Sequence, residues 1–256
     1  MFGVRDHERS HVCFYLLSCA PVNCTHAFPI PNYETIRDSS SDWDREFALQ
    51  DSRYKTKRQA VVWRGSLSDA NDGGISARWR LYQAASLHPE YLDVGFTYIP
   101  EQHNAKNITT EDEFMSEPDF QNYLGILDID GNAWSSRFGQ LLCYNSVVLK
   151  VEAAYAEHFY KDLVAWRHYV PIRADFSDLL PTIKHILDHE STVQTIASNA
   201  RAWCRSHMVL DRLEEDLLDV WEGYAAMLDR GNYNWMNSWS STLTNRSEFD
   251  WAALPL

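Results

Sequence analysis

From Ala60 onward, short apolar runs alternate with longer amphipathic stretches, and that alternation predicts the architecture. AVVW at 60–63 has no polar position, which suits a strand covered on both faces, with RGS following at its end. ISARWRLYQAASL at 75–87 has helical spacing and sets Trp79, Leu81, Tyr82 and Ala85 on one side. YLDVGFT at 91–97 predicts a strand, whereas 101–120 is acidic and irregular. YLGILDID at 123–130 predicts a central parallel strand. SSRFGQLLCYN at 135–145 predicts a helix opened by serine caps. SVVLKV at 146–151 predicts a strand, AYAEHFYKDL at 154–163 a helix, and RHYVPI at 167–172 a further strand. Two or three amphipathic helices follow from Asp178 to Leu228, the clearest with Leu213, Leu217, Val220, Trp221 and Tyr224 on one stripe. Residues 23–60 are loop-rich, and 229–256 fit no clear element. The expected fold is therefore α/β, a doubly wound parallel sheet, with ligands at the carboxyl ends of its strands.

Composition narrows the class. A chain of 256 residues with 45% apolar content can bury a sizeable core. Its 23 basic and 36 acidic residues leave a net charge of −13, which argues against a protein that coats a nucleic-acid backbone. A local basic pocket remains compatible with that balance. Cys13, Cys19, Cys24, Cys143 and Cys204 form no CxxC pair and no metal spacing. The first three sit close enough together to be compatible with a disulfide. Sequons occur at Asn23, Asn107 and Asn245. No stretch reaches the roughly 18 apolar residues of a membrane span. HVCFYLLSCAPV at 11–22 is expected to be a buried strand rather than a signal core, because MFGVRDHERS lacks a clean basic start.

Two strand ends carry matching chemistry. Arg64, Gly65 and Ser66 follow AVVW; Gly131, Asn132, Ala133, Trp134, Ser135, Ser136 and Arg137 follow LDID and run into the predicted helix. Glycine lets a backbone approach a bulky anion, and free amides and hydroxyls can donate to it. Arginine adds a planar fork suited to phosphate oxygens. An arginine at a strand end also serves commonly as a surface charge or a structural ion pair, so both readings stand for Arg64 and Arg137. GNAWSSR is neither GxGxxG nor a GK[ST] phosphate loop. Asp128 and Asp130 are expected to support the turn rather than hold a metal. In HYVPIRADFSDL at 168–179, Ser177 and Asp178 suit the cap of a new helix.

The ordered set WRG at 63–65, LDIDGNAWSSRF at 127–138, SVVLKV at 146–151 and HYVPIRADFSDL at 168–179 resembles glycosyltransferase family 90. That family includes fungal capsule-associated transferases, lipopolysaccharide-modifying-like proteins and Rumi-type protein O-glucosyltransferases. The resemblance extends over 60–228 and is closed by ARAWCRSHMVLDRLEEDLLDVWEGY. It implies a GT-B architecture of two Rossmann-like domains, the C-terminal one holding a UDP-sugar. On this reading 60–228 is the donor-binding domain, 1–59 a remnant of a truncated N-terminal acceptor-side domain, and 229–256 a tail.

The resemblance also implies an activity: transfer of glucose or xylose from a UDP-sugar to a hydroxyl of a protein or polysaccharide. The transfer would invert the anomeric centre and use no metal or other cofactor, the UDP-sugar being the donor substrate. By position, Arg64, Gly65 and Ser66 match the turn near the diphosphate, and Gly131 to Arg137 match the second nucleotide loop. The family's base is an aspartate in a segment similar to VRDYPQ, which makes Asp6 in MFGVRDHERS the counterpart, although Glu8 stands where the family has proline. Asp6 is equally compatible with a solvated terminal residue. Tyr33 is a loose candidate for the sugar cleft. The expected partners are a UDP-sugar and a protein or polysaccharide acceptor, without nucleic acid or a membrane span. The family works in the secretory lumen (endoplasmic reticulum or Golgi), although no targeting signal is visible in the chain. Two alternatives stay open: an inactive or truncated nucleotide-sugar-binding module, and an unrelated domain for another phosphorylated ligand.

Overall fold

The computed structural model describes residues 15–17, 20–21, 27–31, 56–68, 76–100 and 114–230. These begin with three short strands, β1 (Tyr15–Leu17), β2 (Ala20–Pro21) and β3 (Ala27–Pro29). Then follow β4 (Arg58–Ser66), β5 (Leu92–Tyr98), β6 (Tyr123–Asp128), β7 (Val147–Val151), β8 (Tyr155–Ala156) and β9 (Val170–Ile172). The helices are α1 (Ala77–Leu87), α2 (Phe138–Leu141), α3 (Leu179–Asp188), α4 (Glu190–His207) and α5 (Leu210–Arg230).

Five strands form one parallel sheet in the order β5-β4-β6-β7-β9, with β6 at its centre. Alternate side chains feed two cores, which is why the strands have near-continuous apolar sequences. Val61, Trp63, Val147 and Leu149 face one layer with Leu81 and Ala85 of α1 and Ile183 and Ile186 of α3. Ala60, Val62 and Val148 face the other with Phe138 and Leu141 of α2 and Phe159, Tyr160 and Trp203. Helix α4 contributes to both, through Val193 and Ile196 on one side and Ala200 and Cys204 on the other. β1 pairs parallel with β3, and β2 pairs antiparallel with β8.

The expected parallel α/β sheet is thus present, with four local corrections. Arg64, Gly65 and Ser66 lie within β4 and pair with Gly95, Phe96 and Tyr98, rather than following the strand. The helix expected over 135–145 shrinks to α2, capped by Arg137 without a side-chain bond. Ser135 is unavailable as a cap because its hydroxyl donates to Asp128 Oδ1 at 2.5 Å. The helix expected over 154–163 is replaced by β8 and a 3-10 turn over 158–162. Residues 155–156 are held by pairing with Ala20 and Pro21, and His158, Phe159 and Tyr160 are buried consecutively, which no amphipathic helix allows. At α3 neither Ser177 nor Asp178 makes a side-chain cap bond; Asp178 Oδ1 instead accepts from Arg173 N at 3.0 Å, closing the preceding turn.

Cys143, just beyond α2, forms a disulfide with Cys204 of α4. The two cysteines are 61 residues apart, and no spacing motif announces their pairing. Cys13, Cys19 and Cys24 lie outside the described residues. No described helix is long and apolar enough to cross a membrane.

Candidate functional site

Strand order locates the crevice. After β4 the chain crosses through α1 on one face to reach β5, whereas after β6 it passes through α2 on the opposite face to reach β7. The carboxyl ends of β4 and β6 therefore part in opposite directions, the topological switch point at which doubly wound sheets open a binding crevice. Ser66 and Ser68 stand on one side of it, Ile129, Asp130 and Gly131 on the other.

A residue not singled out from the sequence fills the floor of this crevice. Arg78, in the first turn of α1, donates from Nη1 to Ser66 O (2.7 Å) and Ser68 Oγ (2.8 Å). The same guanidinium donates from Nε to Asp130 O (3.1 Å) and from Nη2 to Ile129 O (3.2 Å). One planar fork thus holds both strand ends, and it lies 5.4 Å from the centre of the Trp63 ring. Gly131 packs against it: a Cβ there would sit 3.1 Å from Arg78 Nη2 and 3.3 Å from Ser68 Oγ. Gly65 leaves room for Trp63, two residues earlier on the same face of β4, because a Cβ would stand 2.8 Å from Trp63 Cζ2. A clue was present in the sequence: a basic residue at a helix N-terminus opposes the helix dipole and needs another reason to be there.

The loop after β6 is anchored from below by charge. Asp128 and Lys150 are register partners on β6 and β7. Lys150 Nζ donates to Asp128 Oδ2 and to Asp130 Oδ1, each at 2.7 Å. The ammonium also lies 5.0 Å from the Phe138 ring centre and 5.9 Å from that of Tyr160. Burial alone would lower the Lys150 pKa, but Asp128, Tyr160 and Asp130 together raise it well above the usual lysine range. Burial raises the Asp130 carboxyl, and the Lys150 charge opposes that shift. Both carboxylates of the DID motif are thus engaged by an ammonium, as their expected support of the turn requires. A lysine in an otherwise wholly apolar strand was the available signal, since an unpaired buried ammonium is costly.

Arg137 and Arg64 do meet, although not as two parallel forks. Arg137 Nη1 donates to the backbone carbonyl of Arg64 at 2.7 Å, and its Nε lies 3.8 Å from Asp128 Oδ1. Trp63 and Phe120 flank the Arg137 guanidinium at 6.0 and 5.8 Å. The Arg64 guanidinium turns toward β5, pairing with Asp93 Oδ1 at 2.7 Å and donating to Asp93 O at 2.9 Å. Burial would raise the Asp93 carboxyl, but hydrogen bonds from Tyr123 and Arg64 and the charges of Arg64 and Arg58 hold it below its ordinary value. Ser135 is buried against Asp128, whereas Asn132 and Ser136 are exposed and Ala133 is half-buried. Trp134 Nε1 is buried without a hydrogen-bond partner among the described residues. Asp6 and Tyr33 lie outside the described residues. In chemical terms the crevice offers a half-buried arginine, small residues at both strand ends and a backbone rigidly held by Arg78 and Lys150, an arrangement suited to a bulky anion.

Known proteins share this sequence organisation. The curated Protein O-glucosyltransferase 2 of Danio rerio is 39% identical over 159 residues, covering 62% of this chain and 31% of the relative. Protein O-glucosyltransferase 3 of Homo sapiens is 32% identical over 149 residues, covering 58% of this chain and 29% of the relative. The chain therefore matches only about a third of the length of these relatives. Among solved structures, Anabaena HepE in complex with UDP and glucose aligns with a TM-score of 0.49 and 13% identity, covering 77% of this chain and 57% of that one. The model of the glycosyl transferase family 90 matches residues 39–234, most of the chain and all of the sheet and crevice described above. The chain belongs to glycosyl transferase family 90.

Proposed function

We propose that this chain supplies the donor-binding part of an O-glycosyltransferase that takes glucose or xylose from a UDP-sugar and gives it to a hydroxyl of a protein or polysaccharide. The observation that carries the proposal is the switch-point crevice, where the ends of β4 and β6 are joined around Arg78 and faced by Arg137. Family membership and relatives named protein O-glucosyltransferase support the donor and the reaction class.

In this proposal the donor diphosphate lies along Gly131, Asn132, Ala133, Trp134, Ser135, Ser136 and Arg137, opposite Arg64, Gly65 and Ser66. Arg137 is the cation that meets it. The part of Arg64 is more indirect: its guanidinium is held by Asp93, while its carbonyl steadies Arg137. The acceptor oxygen attacks the anomeric carbon from the side opposite UDP. As that bond forms, the bond from the anomeric carbon to the diphosphate oxygen breaks and its electron pair leaves with UDP. The centre inverts, and the acceptor proton passes to a general base, for which Asp6 is the proposed residue. The charge that grows on the leaving diphosphate is met by Arg137 and by donors of the 131–137 loop. No metal enters this scheme.

Residues 60–228 are the proposed donor domain of a two-domain GT-B enzyme, with 1–59 on the acceptor side. The buried Cys143–Cys204 disulfide suits an oxidising compartment, which supports a place in the secretory lumen. Incubation with UDP-glucose or UDP-xylose and a candidate acceptor, with UDP release and sugar transfer both measured, tests the activity. UDP binding without transfer would keep the donor site and remove the transferase claim. A folded protein that does not bind UDP would overturn both.

A further inference from the structure

We infer that Arg78 is a positioning residue, the pin that sets the spacing between the two nucleotide loops and so the place of Arg137. The inference rests on the donor site proposed above. Four of its hydrogen bonds go to two elements that are remote in sequence: Ser66 O at the end of β4 and Ser68 Oγ just beyond it, Ile129 O and Asp130 O after β6. These elements diverge at the switch point, where the strand-to-strand ladder no longer holds them together. β4 and β6 pair only as far as Val62 and Ile126, four residues short of Ser66 and of Asp130. Arg78 continues the connection where that ladder stops.

The guanidinium is itself fixed. The Trp63 ring lies against it, and Gly131 leaves the space its Nη2 occupies. Arg137, whose Nη1 is bound to Arg64 O, spans the same gap from above, so both arginines read the distance between β4 and the 129–137 loop. A planar fork with donors on three nitrogens can hold that distance in a way that a flexible ammonium cannot. Losing it frees two carbonyls of the 129–131 segment, and the loop that carries Arg137 relaxes away from β4.

The test uses the full chain with Arg78→Ala, Arg78→Lys, Arg137→Ala and the double variant. UDP affinity is measured by calorimetry and backbone hydrogen exchange is followed without ligand. Arg78→Ala is expected to speed exchange at 64–68 and 129–137 while α4 stays protected, and to weaken UDP roughly 10- to 100-fold, the worth of one well-placed charged hydrogen bond. Arg78→Lys recovers only part of both. In the Arg137→Ala background the further effect of Arg78→Ala falls to about twofold or less, because Arg78 acts through the placement of Arg137. Undiminished loss in that background, or unchanged exchange at 129–137, overturns the inference. Should Arg78→Ala fail to fold, the exchange pattern and UDP affinity of Arg78→Lys decide alone, and wild-type values for both would overturn it. If the wild-type chain binds no UDP, the proposed function falls, whereas the exchange comparison still reports on Arg78.

Discussion

Removing the Cys143–Cys204 disulfide is a perturbation whose size the fold itself sets. The bond joins residues 61 positions apart, and β7, β9 and α3 lie between them. Both cysteines are buried in the layer that holds Phe138, Phe159 and Trp203. Closing a loop of that length removes about 14 cal/mol/K from the unfolded chain, or about 4 kcal/mol at 25 °C in the chain-entropy model. A domain of this size loses about 2–4 °C of Tm per kcal/mol, so the expected fall is about 8–16 °C. Urea unfolding of the oxidised protein, the reduced protein and Cys143→Ala/Cys204→Ala separates the parts. Reduction removes the cross-link alone, and the double variant also removes two buried sulfur atoms. A reduced protein within about 1 kcal/mol of the oxidised one would refute this reasoning, as would free thiols at both positions in protein made in an oxidising compartment.

Other expectations follow from buried charge and close packing. His158 is held neutral by burial, helped by the charges of Lys161 and Arg212, with its pKa lowered to about 3. The unfolded chain therefore takes up a proton below pH 6.5 that the folded one refuses, and stability falls from there downward by up to about 1.4 kcal/mol per pH unit. His168 and His185 are lowered in the same sense by burial, while Asp216 and Asp130, raised by burial, act with the opposite sign, so the share of His158 is read as the difference in slope below pH 6.5 between the wild type and His158→Phe. His158→Phe should flatten that slope; an unchanged slope would assign it elsewhere. Lys150→Met leaves two carboxylates without their cation and is expected to cost about 3–5 kcal/mol in urea unfolding, and a loss below about 1 kcal/mol would contradict the pairing. Gly65→Ala puts a methyl against the Trp63 ring and should cost about 1–3 kcal/mol in a thermal melt, while an unaltered melt would show that the ring can move aside.

The sheet was legible because its strands lie between two apolar layers, so AVVW, YLGILD and SVVLKV stand out without any alternation to decode. Residues 154–163 hide their conformation because His158, Phe159 and Tyr160 are all buried in a 3-10 turn, and a run of that length does not reveal its period. The serine caps failed for a tertiary reason: Ser135 is committed to Asp128, seven residues earlier. At the site, small residues and arginines at strand ends pointed to the crevice at the carboxyl ends of β4 and β6. Their partners were hidden, because Arg64 with Asp93 and Lys150 with Asp128 depend on strand register. Arg78 looked like one more polar position on a helix, and only the folded chain shows four acceptors converging on it.

The central claim, a UDP site at the crevice between β4 and β6, is tested most directly by calorimetric titration of UDP into the wild type, Arg137→Ala and Arg167→Ala. Arg167 is exposed and lies outside the crevice, and it serves as the control for loss of a positive charge. The account predicts binding by the wild type, affinity weakened roughly 10- to 100-fold in Arg137→Ala, and no change in Arg167→Ala. Equal affinities in all three proteins, or no binding of UDP by the folded wild type, would contradict it.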